Sequence, residues 1–362
     1  MTKIIRALIV DDSAFMRKAL TNMLQTDREI EVVATARNGD EALDKIFKLK
    51  PDLVTLDVEM PGMNGLEVLK IIMEQMPLPV LIVSSLTSEG AQTTLEALDL
   101  GAIDFIPKSL ADVSLNILKI KDDLITKIKA IAHKRPSFLN KAGQECPAYR
   151  THRLDRRDFL TPSWQKKKNF IHHKVGVVAI GTSTGGPKAL QELLSPLPAD
   201  FPTGIVIVQH MPAAFTGPFA QRLDQLCAIK VKEAEPGDTI QSGLALLAPG
   251  NLHMKVVRKK ATEVNLELTP YPGNLPYCPS VDIMMASVAE VYPGRCIGVI
   301  LTGMGHDGRD GVLKIKQSQG KTLAQDEDSC VVFGMPKAAI ETGAIDKVVS
   351  LSEMPGELIN MV

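Results

Sequence analysis

The 362-residue chain has no long hydrophobic run, no closely spaced pair of cysteines and no recognisable signal peptide. A membrane span needs an apolar stretch of about 18 residues, so we expect no membrane insertion. The five cysteines lie far apart, and neither a zinc site nor a disulfide framework is predicted. The opening segment "MTKIIRALIVDDSAF" leads directly into a strand-like run without a cleavage site, which favours a cytoplasmic location.

Composition indicates an ordinary globular protein, with 45% hydrophobic and 23% charged residues and length enough for two or three domains. The net charge of −1 hides an asymmetry, because residues 133–174 hold eleven of the 41 Lys and Arg residues but only three of the 42 Asp and Glu residues. This stretch has no helical or strand periodicity. We interpret residues 131–173 as a basic flexible linker. The alternative is a basic arm that docks on an acidic surface or on nucleic acid; we expect no nucleic-acid partner.

Residues 1–130 alternate strand-like and helix-like segments, which predicts a doubly wound parallel sheet covered by helices on both faces. The strand-like segments are "IIRALIV", "DLVTLD", "PVLIVSS" and "AIDFIPK", and the helix-like ones are "SAFMRKALTNMLQ", "NGDEALDKIFKLK", "NGLEVLKIIMEQ" and "EGAQTTLEALDLG". In such sheets, functional side chains gather where the strands end.

Polar side chains follow the strands of this predicted sheet. Asp11 and Asp12 end the first strand, Asp57 ends another, and Ser84 and Lys108 follow two more. Three carboxylates brought together repel one another unless a cation joins them, and Mg²⁺ prefers carboxylate, water and phosphate oxygens. With the lysine and the hydroxyl, the set predicts a pocket for Mg²⁺ and a phosphoryl group. Any one of these aspartates alone could equally be a helix cap.

The segments "LIVDDSAFMRKAL", "PDLVTLDVEMPGMNGLEVL", "VLIVSS" and "GAIDFIPK" resemble a response-regulator receiver domain with a flavodoxin-like fold. The resemblance implies that Asp57 accepts a phosphoryl group from a chemotaxis histidine kinase and that Asp11 and Asp12 help to hold Mg²⁺. It also places Ser84 and Phe105 at the switch positions of that family. One departure is that Ser109, rather than a proline, follows Lys108.

Residues 174–362 predict a second, three-layer α/β domain with a mainly parallel sheet. Its strand-like segments are "VGVVAIG", "GIVIVQH", "CIGVILTG" and "DKVVSL", and its helix-like ones are "PKALQELLSPL", "FTGPFAQRLDQL" and "SVDIMMASVAEVY". "LALLAPG" and "VNLELTPY" are expected to pair as a hairpin-like insert, and "APGNLHMKV" to form a loop that contains His253.

The glycine-rich turn "GTSTGGPK", residues 181–188, is open to three interpretations: a phosphate cradle, the position of a nucleophile, or only a tight corner. A P-loop needs GxxxxGK followed by Ser or Thr, whereas Pro187 interrupts the pattern and removes an N–H group. A dinucleotide fingerprint needs a glycine where Ser183 stands. GxSxG between a strand and a helix fits the nucleophile pattern better, although the motif often arises by chance.

A serine nucleophile needs a base and a group that orients the base. Outside the linker the histidines are His210, His253 and His306. His210 ends the strand "GIVIVQH", and Asp307 follows the strand "CIGVILTG". Ser183, His210 and Asp307 can therefore meet at the carboxyl edge of one sheet. The chain order Ser–His–Asp differs from that of α/β-hydrolases, so a different fold would carry the same chemistry.

The segments "AIGTSTGGP", "VIVQHMPAAFTGPFAQRLD", "LLAPGNLHM", "PSVDIMMASVA", "GVILTGMGHDG" and "AQDEDSCVVFGMPKAAIETGA" resemble CheB-type chemotaxis protein-glutamate methylesterases/protein-glutamine glutaminases. The resemblance runs from about Gly176 to the C-terminus, and a receiver followed by a linker is that family's domain order. It implies that Ser183 is the nucleophile, His210 the base and Asp307 its orienting partner. Thr184 and Met304 would lie beside the reaction centre.

The resemblance further implies hydrolysis of glutamate γ-methyl esters and deamidation of particular glutamines on the cytoplasmic helices of methyl-accepting chemoreceptors. No cofactor is expected for the ester chemistry, and we expect a monomer. Backbone N–H groups near Ser183 and in the Gly303–Gly305 turn are candidate donors to the oxyanion. The family commonly has Arg where Cys278 stands, and other members can have Asn where His306 stands. Two other functions stay open at this point: a phosphorylation-gated binding module and a general esterase for small molecules.

Overall fold

The computed structural model describes residues 4–108, 116–132, 175–260, 263–270 and 277–362. Within these ranges it contains two α/β units, each built on its own parallel sheet. The predicted linker, residues 131–173, lies outside the described residues except for its first two positions, and so does Ser109. The predicted domain boundaries therefore stay predictions. None of the described helices has both the length and the apolar composition needed to cross a bilayer.

The first unit is a doubly wound five-stranded sheet, as predicted. Its strands are β1 (Ile5–Val10), β2 (Ile30–Ala36), β3 (Leu53–Asp57), β4 (Val80–Ser84) and β5 (Asp104–Pro107), and its helices are α1 (Ala14–Leu24), α2 (Gly39–Leu49), α3 (Gly65–Gln75), α4 (Ser88–Asp99) and α5 (Asn116–Ala132). The strand order is β2-β1-β3-β4-β5, and every neighbouring pair is parallel. The side chains of β3 and β4 are all buried because helices cover both faces.

Sequence interpretation missed two elements of this unit, β2 and α5. The side chains of β2 are mostly half-buried, because this strand lies at the edge of the sheet and pairs only with β1 among the described strands. An edge strand lacks the continuous apolar run by which the central strands were recognised.

The second unit has a seven-stranded sheet and a separate two-stranded hairpin. Its strands are β6 (Val177–Thr182), β7 (Gly204–Gln209), β8 (Lys230–Glu233), β9 (Leu244–Leu247), β10 (Leu252–Lys260), β11 (Glu263–Pro270), β12 (Cys296–Ile300), β13 (Lys321–Gln325) and β14 (Lys347–Val349). Its helices are α6 (Gly186–Leu194), α7 (Ala213–Leu226), α8 (Val281–Val291), α9 (Arg309–Gln317), α10 (Met335–Glu341) and α11 (Met354–Met361).

The large sheet has the order β14-β13-β12-β6-β7-β9-β8, and all its neighbouring strands are parallel. The chain proceeds from β6 to one side of the sheet and later returns to the other side at β12. Such a switch point leaves a crevice at the carboxyl ends of the strands. The ends of β12, β6 and β7 therefore lie side by side.

The predicted pairing of "LALLAPG" with "VNLELTPY" is wrong. The first segment forms β9, which lies between β7 and β8 in the large sheet. The partner of β11 is β10, in an antiparallel hairpin. The predicted loop at His253 is also wrong, because His253 is buried within β10. A short, fully apolar run is typical of a buried parallel strand, whereas alternating residues such as those of β10 suit a hairpin with one covered face.

The two units contact each other through the α4 face of the first and the α6–α7 face of the second. Arg222 in α7 forms an ion pair of 2.6 Å with Asp99, the last residue of α4. The rings of Phe105 and Phe215 lie 4.4 Å apart, centroid to centroid. Val331, in the loop before α10, packs against the apolar cluster of the first unit.

Gly181 in β6 allows α8 to pack closely against the end of that strand. A Cβ at position 181 would lie 2.2 Å from Cγ1 of Val281. Val281 is the first residue of α8 and is fully buried, so a β-branched side chain, stiff about χ1, occupies this space. The close approach sets the distance between the turn after β6 and the N-terminus of α8.

Gly181→Ala is expected to lower the free energy of unfolding by about 1–3 kcal/mol, because the added methyl group overpacks the contact with Val281. Gly217→Ala provides the control. Gly217 lies within α7, and its nearest neighbour would be the flexible end of Glu233 at 3.3 Å, so a gain of up to about 1 kcal/mol is expected. Urea denaturation of the full chain, followed by circular dichroism, measures both changes. Equal midpoints for the two variants would contradict the packing argument.

Candidate active site

Ser183 lies on the tight turn between β6 and α6 and is half-buried. Gly185 has a φ of +76°, and a Cβ there would lie 2.5 Å from that of Val331. A side chain at Gly186 would meet Gln209 Oε1 at 2.0 Å. Only glycine fits both positions without displacement of a neighbour. The turn is therefore compact enough to present the serine at the edge of the sheet.

His210 follows β7 and lies beside the end of β6, because its backbone N–H donates to the carbonyl of Thr182 at 3.1 Å. Its Nε2 lies 2.8 Å from Oδ2 of Asp307, which follows β12. Its Nδ1 is buried and has no hydrogen-bond partner among the described residues. Since Nε2–H donates a hydrogen bond to Asp307, the free lone pair of the ring is on Nδ1, and Nδ1 is the nitrogen able to take a proton.

Asp307 is the most heavily hydrogen-bonded of the predicted site residues. Its carboxylate accepts from His210, from the Ser280 hydroxyl at 3.0 Å, and from the amides of Val281 at 2.7 Å and Asp282 at 3.0 Å. The last two are free N–H groups at the N-terminus of α8. Burial acts to raise the pKa of Asp307, but the bonds from His210 and from these amides hold that pKa below its ordinary value.

Asp282 has the reciprocal role at the neighbouring helix. Its Oδ1 accepts from the amides of Gly308 at 2.9 Å and Gly311 at 2.6 Å, at the start of α9. Asp307 thus caps α8, the helix that contains Asp282, and Asp282 caps α9, the helix that follows Asp307. Burial raises the pKa of Asp282 to about 6; the Gly311 amide opposes the rise, and the negative charge of Asp307 adds to it.

The Tyr277 ring covers one face of the His210 imidazole. The two ring centroids lie 4.7 Å apart and the planes differ by 2°. The ring of His306 is nearly perpendicular to that of Tyr277, with 6.4 Å between the ring centroids. His306 is not among the hydrogen-bond partners that the described residues provide to Asp307.

Two predicted oxyanion donors are already occupied. The Ser183 amide donates to the Thr302 carbonyl at 3.1 Å, and the Gly303 amide donates to the Val332 carbonyl at 3.0 Å. Within the described ranges, the amides of Thr184 and Met304 make no hydrogen bond. The Met304 turn abuts the serine, because a Cβ on Gly303 would lie 2.9 Å from that of Ser183. Thr184 and Met304 therefore carry two of the amides in these turns that are available as donors.

The first unit brings the predicted carboxylates together at the ends of β1 and β3. Ligand atoms of Asp11, Asp12 and Asp57 all lie within 4.8 Å of one another. Lys108 Nζ lies 2.6 Å from Oδ2 of Asp57 and 3.0 Å from Oδ2 of Asp11. The ammonium contacts two of the three carboxylates, and this oxygen-rich set has the chemistry of a magnesium site.

The contact with Lys108 does not fully offset the cost of burying the Asp57 charge. Burial raises the pKa of Asp57 to about 6, against the lowering effect of Lys108, and the Asp11 charge adds to the rise. Burial acts to lower the pKa of Lys108, but the contacts with Asp57 and Asp11 raise it above its ordinary value. A bound divalent cation would relieve the excess negative charge.

The two predicted switch residues are both buried but point to different partners. The Ser84 hydroxyl donates to the Gly90 carbonyl at 3.2 Å and accepts from Thr94 Oγ1 at 2.6 Å. It is therefore engaged with α4. The ring of Phe105 contacts that of Phe215 in the second unit, with the two planes inclined by 31°. Ser84, through its hydrogen bonds to α4, and Phe105, through its contact with Phe215, both lie on the side of the first unit that faces α7.

Sequence reasoning missed three residues of the site: Tyr277, Ser280 and Asp282. Ser280 directly precedes an apolar helical run, a pattern that predicts an N-cap serine. In the structure its hydroxyl accepts a hydrogen bond from the Ile283 amide at 3.4 Å. Asp282 lies in the first helical turn, where an acidic residue is common. Nothing in the spacing of Tyr277 indicates a contact with His210.

Two known protein families match the chain. The CheB methylesterase family matches residues 178–358, and the response regulator receiver domain family matches residues 7–118. The catalytic domain of the Thermotoga maritima CheB methylesterase is a similar solved structure, with 41% identity and a TM-score of 0.51, over 52% of this chain and all of that one.

Full-length relatives give the same result. A protein-glutamate methylesterase/protein-glutamine glutaminase 1 of Oleidesulfovibrio alaskensis is 50% identical, with 99% of each chain covered. A protein-glutamate methylesterase/protein-glutamine glutaminase of Pyrococcus horikoshii is 44% identical, over all of this chain and 95% of that protein. With both units matched and the similarity extending over the full length, the chain belongs to the CheB methylesterase family, with a response-regulator receiver domain preceding the methylesterase domain.

Proposed function

We propose that this protein is a phosphorylation-activated hydrolase of chemoreceptors in the cytoplasm. It demethylates glutamate γ-methyl esters with release of methanol, and it deamidates particular glutamines to glutamate. The observation that carries the proposal is the His210–Asp307 hydrogen bond of 2.8 Å at the edge of the sheet where the Ser183 turn lies. The names of the full-length relatives support the same pair of activities.

In the proposed acylation step, Ser183 Oγ attacks the γ-carbonyl carbon while His210 Nδ1 takes the hydroxyl proton. Asp307 accepts the Nε2–H bond, holds the imidazole in the tautomer with a basic Nδ1, and stabilises the imidazolium that forms. The carbonyl oxygen becomes an oxyanion, for which the amides of Thr184 and Met304 are the donors. One such donor is worth about 3 kcal/mol of transition-state stabilisation.

The leaving group departs as the tetrahedral intermediate collapses. His210 returns its proton to the methoxy oxygen, so that methanol leaves and an acyl-Ser183 ester remains. Water then attacks this ester with His210 again as the base, which releases the glutamate carboxylate and restores Ser183. A glutamine substrate follows the same path with ammonia as the leaving group. Ester cleavage is expected to be faster, because an amine leaves less readily than an alkoxide.

The receiver domain supplies the proposed regulation. An oxygen of Asp57 attacks the phosphorus of a phosphohistidine on the kinase, and the P–N bond breaks as the P–O bond forms. Asp11, Asp12 and Asp57 are the residues that would hold Mg²⁺, which neutralises phosphoryl oxygens when bound. Lys108 is already positioned to contact the new group. Ser84 would exchange its bond to the Gly90 carbonyl for one to the phosphoryl oxygen.

The contact between the two units supports blocking as the mechanism of inhibition. Val331 packs against both the Ser183 turn, at Gly185, and the apolar cluster of the receiver. The receiver thus reaches the residue that borders the nucleophile turn. Phe105, at a predicted switch position, contacts the Phe215 ring of the catalytic unit. A tenfold activation needs only about 1.4 kcal/mol of differential stabilisation, which a loss of such contacts can supply.

Ser183→Ala is expected to lower methanol release from methylated receptor membranes by at least about a thousandfold, because it removes the hydroxyl that forms the proposed acyl intermediate. Asp307→Asn is expected to cost about 10²–10⁴-fold, since the wrong imidazole tautomer becomes favoured. Ser195→Ala, a serine at the exposed end of α6, is the matched control and should retain full activity. Undiminished release by Ser183→Ala would refute the proposed nucleophile.

Arg222→Glu is expected to raise the methanol release of the unphosphorylated protein, because it replaces the ion pair with Asp99 by repulsion. Exposed ion pairs contribute up to about 1 kcal/mol, and the Asp99 carboxylate is only 11% exposed, so an increase of at least about two- to fivefold is expected. The reversed pair, Asp99→Arg with Arg222→Glu, should restore inhibition. Arg37→Glu, an exposed charge reversal elsewhere on the receiver, is the control.

The same assay with Mg²⁺ and a small phosphodonor tests the phosphorylation step. Wild type should be stimulated, and Asp57→Ala should not. Blocking by this interface would be contradicted if Arg222→Glu left basal release unchanged or if the reversed pair failed to lower it.

A further inference from the structure

Tyr277 lies against the imidazole that the proposed mechanism uses as its base. Its ring is stacked on that of His210 with a centroid distance of 4.7 Å and an angle of 2° between the planes. We propose that Tyr277 is a positioning residue that fixes the plane of the His210 ring and stabilises the imidazolium through its aromatic face. This inference rests on the proposed function, in which His210 is the base.

The hydrogen bond to Asp307 leaves one motion of the imidazole unrestrained. The bond at Nε2 fixes one corner of the ring, but the ring can still tilt about that corner and change the direction of the Nδ1 lone pair. A flat ring stacked in parallel at van der Waals contact opposes this tilt. Because a proton transfer depends on a near-linear approach of donor and acceptor, a fixed plane is a requirement of the step.

Tyr277 is itself held in place on two sides. A Cβ on Gly305 would lie 2.3 Å from the Tyr277 hydroxyl oxygen, and Gly305 has a φ of +85°. The hydroxyl end therefore rests on the backbone of the Met304 turn, where only a glycine leaves room for it. The ring of His306 is a second neighbour, nearly perpendicular to the phenol with 6.4 Å between the centroids. The phenol ring thus contacts the imidazole and has the Gly305 backbone and His306 as further neighbours.

Residues 277–282 provide one neighbour of the His210 imidazole, Tyr277, and position the other, Asp307. Tyr277 covers the ring face, and Ser280, Val281 and Asp282 in the same segment donate three of the four hydrogen bonds that Asp307 accepts. Residues 277–282 therefore determine both the plane of the His210 ring and the position of the Asp307 carboxylate.

The aromatic face also matches the charge that develops during the reaction. His210 becomes an imidazolium when Ser183 attacks, and the face of an aromatic ring attracts a cation. The hydroxyl is not required for this effect. Burial raises the pKa of Tyr277, and the Asp307 charge adds to the rise, so the phenol stays neutral. Phenylalanine at this position should therefore preserve both roles.

The test compares Tyr277→Phe, Tyr277→Leu and Tyr277→Met in the full chain, activated with Mg²⁺ and a small phosphodonor, on methylated receptor membranes. Removal of the ring is expected to lower kcat about five- to tenfold with KM changed less than about twofold, and Tyr277→Phe should stay within about twofold of wild type. Tyr277→Met keeps apolar volume without a ring and provides a second result if Tyr277→Leu does not fold. Tyr292→Leu, a half-buried tyrosine at the far end of α8, is the matched control.

Proton NMR of the imidazole gives a readout that does not depend on turnover. The stacked ring shifts the His210 resonances upfield, so they should move downfield in Tyr277→Leu and Tyr277→Met but remain in place in Tyr277→Phe and Tyr292→Leu. His210→Gln identifies the resonances.

The outcomes separate the inference from the proposed function. If kcat is unchanged in the ring-deleted variants, or if Tyr277→Phe is as defective as Tyr277→Leu, the positioning role is refuted. If Ser183→Ala in the same assay keeps wild-type activity, the proposed function itself fails.

Discussion

The buried Asp307 carboxylate and its four hydrogen-bond donors are the arrangement on which the candidate catalytic centre depends. An isolated buried carboxylate would be strongly destabilised, but here the N-terminus of α8 supplies two amides, Ser280 supplies a hydroxyl, and His210 supplies the fourth donor. The same four bonds that lower the cost of burial also direct one oxygen at Nε2 of the imidazole. Stability of the fold and orientation of the base are thus provided by one set of contacts.

Geometry at the sheet edge explains why such distant parts of the sequence meet. Strands β12, β6 and β7 are neighbours in the parallel sheet, so the loops that follow them carry Asp307, Ser183 and His210 to one place. Gly181 allows α8 to approach that edge, and Asp282 ties α9 to it through two amides. The receiver places its own aspartates at the equivalent edge of a second sheet. Its contacts with α7 and Val331 connect the proposed phosphorylation site with the neighbourhood of Ser183.

The sequence predicted those parts of the structure that repeat a simple pattern. Buried parallel strands read as apolar runs, and polar residues directly after them, such as Asp57 and His210, mark the carboxyl edge. An apolar run does not show which strand is the neighbour of a short strand in the sheet. For that reason β9 was wrongly predicted to pair in a hairpin. The stacking of Tyr277 on His210 depends on the path of the chain between β11 and α8, which no local pattern encodes. The reciprocal capping by Asp282 likewise depends on the N-termini of α8 and α9 lying close together.

In the proposed mechanism Ser183 is a nucleophile activated by the His210–Asp307 pair, and covalent trapping of the serine is a direct test. The full chain would be treated with an alkyl phosphonofluoridate, which loses fluoride when a nucleophilic serine attacks phosphorus, and the adduct would be located by peptide mass spectrometry. The account predicts one adduct per chain, on Ser183, that is lost in His210→Ala. An adduct on a different residue, or equally fast labelling of Ser183 in His210→Ala, would contradict it.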